Sequence, residues 1–234
     1  MFSLRCAKTP VIDCQPCYDP PVTTQATLPR PAPKSELTIP PLQNGDHLTR
    51  KEFERRWDLH PEIKRAERIC GRVYVQMTVG APHGKKHGIA TGWLFTYALN
   101  HPECEMLDNA TARLGADSDP QPDVMLRRIS GGTSREIGSI IEGAPEFVVE
   151  VSASSASYDL HEKKELYREF GVIEYVVWQL YENRLDWFRL ENGDYVTVAP
   201  DADGIIESVT FPGLRLPVAK LLDDDAAGVV AALH

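Results

Sequence analysis

The chain has 234 residues, 42% hydrophobic and 25% charged, enough for one globular domain of ordinary size plus an appendage. No apolar run approaches the roughly 20 residues that span a bilayer, and the N-terminus lacks a continuous apolar h-region, so a cytoplasmic protein with no membrane partner is expected. The net charge of −9 argues against tight non-specific binding of nucleic acid, which relies on Lys and Arg neutralising phosphates, yet it allows a local basic cleft.

Five cysteines, Cys6, Cys14, Cys17, Cys70 and Cys104, do not suggest a disulfide framework. Cys14 and Cys17 have zinc-knuckle spacing, and Cys6 and Asp13 are candidate further ligands. No second half-site follows, so the favoured reading is a poorly ordered tail.

Residues 1–45 are rich in proline and threonine and read as a flexible arm. A folded domain over 46–220 and a C-terminal tail over 221–234 follow. Thr49-Arg50-Lys51-Glu52 is a capping box that predicts a short helix through 53–59, ended by Pro61. A hairpin over 65–77 turns at Gly71. Residues 80–84 read as a loop, and 87–100 as a helix with Ile89, Trp93, Leu94, Tyr97 and Ala98 on one face. Strands are expected near 104–107, 111–114 and 123–129. A Gly-rich loop at 131–134 precedes another strand over 146–152. An amphipathic helix over 159–170 is capped by Gly171. A strand over 174–180 precedes a hairpin across Asn192-Gly193, then strands over 205–211 and 214–216. A last short helix and a frayed end begin near Lys220. The class is α/β or α+β.

Glu150 is the most informative residue. It ends the apolar run Phe147-Val148-Val149-Glu150-Val151, which reads as a buried strand. A charge there must neutralise, pair or bind a metal. Asp123 heads a second apolar run, Val124-Met125-Leu126. Side-chain alternation puts Glu150 and Ser152 on one face with Val148, at a strand end where ligands sit in open α/β sheets. Asp159 and Lys163 stand at i and i+4 on one helix face, from which Lys163 can reach the carboxylates. Magnesium takes one or two carboxylates, lowers the pKa of a bound water and polarises a phosphoryl group, and a lysine offsets developing charge. Asp123, Glu150 and Lys163 form that set, with Glu67 as a candidate fourth member.

Four separated segments in order resemble the Uma-two family, within the PD-(D/E)xK nuclease superfamily. They are Gln121-Pro122-Asp123-Val124; Gly143 through Glu150 to Ser152; Asp159 through Lys163 to Tyr167; and Gly171 through Tyr175 to Val177. The resemblance covers roughly residues 46 to 220. It implies a restriction-endonuclease-like fold, a central mixed sheet flanked by helices, with extra hairpins here. It also implies magnesium-dependent phosphodiester hydrolysis, with Asp123 and Glu150 as metal ligands; the expectation adopted is a Mg2+- or Mn2+-dependent endonuclease acting on DNA, with RNA left open as the substrate. Glu67 matches the family's early glutamate, and His87 a histidine at the start of its long helix. Superfamily nucleases often dimerise, so a homodimer is a further expectation. Ser152 stands where the superfamily has lysine, and Lys163 is the natural substitute.

Plainer readings stand beside these. Glu150 can be a structural carboxylate and Asp123 a turn residue. Lys163 can be a solvated lysine, and Glu67 a surface partner of Arg65 and Arg68. His87 reads as a helix-start or core histidine, Asp159 as an N-cap, and Tyr167 and Tyr175 as core. Two other functions remain: a degenerate module that binds nucleic acid or protein, and a hydrolase of small phosphoesters.

Overall fold

In the computed structural model, which describes residues 39–76 and 80–233, Thr49 caps α1 (Arg50–Asp58) by accepting the Glu52 N–H at 3.4 Å. Most of the proline-rich arm, with Cys6, Cys14 and Cys17, lies outside the described residues, as does Met77 of the expected hairpin. Residues 39–45, assigned by composition to the arm, are described. Leu42 among them is buried in a small cluster with Phe53, Ala66 and Val73. The hairpin pairs β1 (Ala66–Ile69) with β2 (Arg72–Val75).

The expected loop at 80–84 is instead the start of α2 (Ala81–Asn100). Gly80 takes an extended cap conformation, and Pro82 stands in the first turn, where its missing N–H costs nothing. The extra turn places His83 one turn ahead of His87. α2 buries Ile89, Trp93, Leu94 and Tyr97, as its periodicity requires.

β3 (Cys104–Asp108) and the short β4 (Ala112–Arg113) follow, then β5 (Val124–Arg128). A hairpin that the pattern did not announce, β6 (Arg135–Ile137) and β7 (Ile140–Glu142), comes next. β6 is exposed along its length and so carries no alternation to read. β4 and β7 pair in parallel, giving a small three-stranded sheet.

β8 (Phe147–Ser152) and β9 (Glu174–Gln179) are the only parallel pair of the six-stranded sheet, ordered β11-β10-β9-β8-β5-β3 among the described residues, where β10 is Arg184–Glu191 and β11 is Asp194–Thr197. Both are buried at every position, as strands covered on two faces must be. The β10–β11 turn is Asn192-Gly193, with φ of 52° and 89°, the left-handed pair that a tight hairpin needs.

Alternation sorts the core into two layers. Phe147, Val149 and Val151 pack with α2, Trp178 and Trp187 on one face. Val148, Met125, Tyr175 and Val177 pack with Leu166 and Tyr167 on the other. Leu166 and Tyr167 belong to a helix that runs as α3 (Ala156–Tyr158), a π-helical stretch (Asp159–Lys163) and α4 (Lys164–Phe170). Asp159 therefore lies inside the helix, and the expected N-cap is replaced by Ser155.

β12 (Ile205–Glu207) is shorter than expected. Ser208 Oγ and the Thr210 N–H turn aside to donate to the buried Glu174 carboxylate, so that segment leaves the strand. β13 (Arg215–Pro217) pairs with β12, α5 (Val218–Leu222) lies against β10 and β13, and α6 (Ala226–Ala231) closes the chain against α2. No helix among the described residues is long and apolar enough to cross a membrane.

Candidate active site

The site forms where the parallel pair ends. β5 runs antiparallel to β8 with Val124 opposite Val149, so Asp123, one residue before β5, lies beside the last residues of β8. The Val151 N–H donates to Asp123 Oδ2 at 2.7 Å, which ties the carboxylate to the strand end. Glu150 projects from the same end toward the α4 layer.

The π-helical turn presents Lys163 to this point; such turns concentrate at functional sites. Its Nζ lies 2.8 Å from Glu150 Oε1, 2.8 Å from Glu67 Oε1 and 3.8 Å from Asp159 Oδ1. Tyr167 Oη donates to Glu150 Oε1 at 3.0 Å. Ser152 Oγ donates to Asp159 Oδ2 at 2.6 Å, and Tyr175 Oη to the Asp159 carbonyl at 2.8 Å. Glu67 also accepts the Gln121 N–H at 2.6 Å. Glu67, Asp123, Glu150, Ser152, Asp159 and Lys163 thus converge, all buried.

Glu67 is not the surface partner of its two neighbouring arginines. Arg68 turns away to Asp119, with Nη2 to Oδ2 at 2.8 Å. Arg65, two residues from Glu67 and so on its face, binds Asp123 Oδ1 at 3.0 Å and the Gln121 carbonyl at 2.7 Å. Lys163, read alone as a solvated lysine, is 2% exposed.

His87 points elsewhere. Its Nε2 lies 3.0 Å from Asp108 Oδ1 and 3.1 Å from the Asp123 carbonyl. His83 comes nearer the carboxylates, with Nε2 3.8 Å from Asp123 Oδ2. Arg65, His83 and Tyr167 are the members that sequence reasoning missed. The i, i+2 spacing of Arg65 and Glu67 was a signal for the first. The Gly80-Pro82 helix start was a signal for the second, because it puts His83 at i−4 from His87.

Electrostatically the centre is crowded with acid. Burial pushes the Glu150 carboxyl well above its ordinary value; Lys163 opposes this, while Asp159, Asp123 and Glu67 add to it. Asp159 is also raised, first by burial, against Lys163 and its hydroxyl partners. For Lys163 burial pulls the pKa down, but Glu150, Glu67 and Asp159 outweigh it, so the ammonium stays charged. Burial likewise opposes Arg65, and Asp123, Glu150 and Glu67 more than restore it.

These groups open on a cleft of about 770 Å³, whose walls include Tyr74, Tyr158 and Tyr181 and whose floor holds Asp123, Glu150 and Lys163. The hydrogen bonds to Glu150 fall on Oε1, and among the described residues none reaches Oε2. Among the described residues no group of three or more His, Cys, Asp or Glu side chains is arranged to hold a metal ion. An all-oxygen set with free positions suits a hard cation that keeps its waters, such as magnesium, better than zinc.

The mixed sheet flanked by helices is a fold shared with a solved structure. A crystal structure titled as a "putative nuclease belonging to DUF820" from Anabaena variabilis superposes with a TM-score of 0.56 at 14% identity, covering 68% of this chain and 90% of that one. At that identity the likeness is one of fold alone. The chain belongs to the Uma2 family, described as "Putative restriction endonuclease", whose sequence profile matches residues 50–219. No curated protein matches it.

Proposed function

We propose that this protein is an endonuclease that hydrolyses DNA phosphodiester bonds with Mg2+ or Mn2+. One observation carries the reading. Four carboxylates, Glu67, Asp123, Glu150 and Asp159, meet two permanent cations, Lys163 and Arg65, leaving two negative charges in excess when all are ionised. Burial first, and neighbouring carboxylates after it, hold the Glu150 and Asp159 carboxyls above their ordinary values, so protons can answer that excess in the free protein. A divalent cation answers it equally well.

Asp123 and Glu150 would hold the cation, Glu150 through its unengaged Oε2. When bound, it would supply Lewis acidity and a water of lowered pKa. Lys163 holds Glu150 by Oε1 and fixes its rotamer, and its charge opposes the negative charge that builds on phosphate oxygens at the cleft floor. Glu67 and Asp159 keep Lys163 charged and aimed. Tyr167 donates to the same Glu150 oxygen and so leaves the other facing the cleft.

A second reading has one observation in its favour. Both Asp123 oxygens are already engaged, by Arg65 and by the Val151 N–H, as in a carboxylate that serves structure. A fold retained as a binding module would look like that.

Supercoiled plasmid incubated with Mg2+ or Mn2+ separates the two. Nicking or linearisation by wild type, absent from Asp123→Ala and Glu150→Ala, is the expected result. Equal cleavage by the variants would remove the site assignment. Absence of both cleavage and calorimetric Mn2+ binding by wild type would favour the module.

A further inference from the structure

The cleft is built unlike a groove for duplex DNA. Duplex binding draws its affinity from Lys and Arg laid along the phosphates. Among the described lining residues the sole Lys or Arg is Lys163, which is buried and already paired with Glu67 and Glu150. Acid dominates the rest of the charged lining, with Glu162 added to the four carboxylates of the floor.

What the walls offer instead is aromatic surface. Tyr74 and Tyr158 pack with ring centroids 4.4 Å apart. Tyr181 stands 77% exposed in the turn just past β9. The parallel register sets Ser152 beside Gln179, so Tyr181 lies just past the end of the parallel pair at which Ser152 ends β8, two residues after Glu150. Tyr158 Oη is buried and has no hydrogen-bond partner among the described residues, although it lines the cleft. A buried hydroxyl without a partner is costly and points to a ligand group or water that completes it. The cleft's volume is in the range of small-ligand pockets, far below that of a duplex footprint.

Resting on the nuclease reading, we infer that the cleft takes an unpaired strand of DNA, with a base stacked on Tyr181 and a nucleotide polar group on Tyr158 Oη, rather than an intact duplex. Stacking on aromatic rings is tolerant of sequence, because every base has a π-face, and it adds to whatever charge contacts the strand makes. Where duplex is cut, the reacting nucleotides must first leave the stack, at a cost that is lowest at ends, mismatches and bubbles.

The test measures binding apart from catalysis. A labelled deoxyoligonucleotide, single-stranded or annealed to its complement, is titrated in EDTA with wild type, Tyr181→Ala, Tyr181→Phe and Tyr158→Phe, read by fluorescence anisotropy. The single strand should bind more tightly than the duplex. Tyr181→Ala should weaken it about tenfold, and Tyr181→Phe should retain it, since the ring does the stacking. Tyr158→Phe should weaken it a few-fold. Tyr181 is exposed, so its truncation opens no core cavity, and circular dichroism checks the fold of each variant. Duplex bound as tightly as single strand, or single-strand affinity unmoved by Tyr181→Ala, would overturn the inference. Single-strand binding without cleavage of any DNA in Mg2+ would sink the nuclease reading and spare this one. Duplex cleavage indifferent to Tyr181→Ala would do the reverse.

Discussion

Lys163 reaches Glu67 at 2.8 Å and thereby joins the helix behind β8 to a hairpin that is no part of the central sheet. The same ammonium holds Glu150 at 2.8 Å. One buried cation thus bridges the hairpin and the helix. Such a cluster is poor evidence of net stability, because desolvation offsets most of the Coulomb gain. Breaking it is another matter, since it strands a buried charge.

Lys163→Met should therefore destabilise the protein by about 3–5 kcal/mol, leaving Glu67 and Glu150 without their cation. Tyr167→Phe, which removes one hydrogen bond to Glu150, should cost about 1.5–3 kcal/mol. Urea unfolding at neutral pH measures both. A Lys163→Met loss no larger than that of Tyr167→Phe would mean that the buried pair is not formed in solution.

The high titration of Glu150 makes a signed pH prediction. Its folded pKa lies above the ordinary 4.5, so its stabilising contribution is complete below that value and is lost as pH rises through the folded one. Asp159 acts in the same direction. The metal-free protein should lose stability as pH climbs out of the ordinary carboxylate range. Metal needs the ionised carboxylate, so binding should strengthen over the same window. Thermal melts should show a larger Mn2+-induced rise in Tm at about pH 8 than at about pH 5. Glu150→Gln should abolish the difference. An equal rise at both pH values would count against Glu150 as a ligand.

The β1–β2 turn offers a test away from the charges. Gly71 has φ +79°, and a Cβ there would come within 2.6 Å of His47 Cε1. Gly71→Ala should cost about 1–3 kcal/mol from backbone strain, with the histidine ring displaced as well. Because β1 carries Glu67, the variant should also loosen the Lys163 cluster, visible as faster hydrogen exchange of the Gln121 amide. Unchanged stability would mean that the turn relaxes without strain.

Sequence alone determined the buried strands and the helix periodicities, because burial writes period 2 and period 3.6 directly into residue type. The run around Glu150, the face of α2, the Asn192-Gly193 turn and the Gly171 cap are all local. Glu150 itself was legible because a carboxylate in an apolar run contradicts its surroundings. Tertiary structure decided what answers that carboxylate. Arg65 and Arg68 flank Glu67 almost symmetrically in the chain, yet strand alternation sends one to Asp123 and the other to Asp119. His83 displaced His87 as the histidine nearest the Asp123 carboxylate only once α2 gained an extra turn. Asp159 left the helix cap because the helix begins earlier and widens into a π turn. Long-range partners of charged groups depend on which elements meet, and no local pattern encodes that meeting.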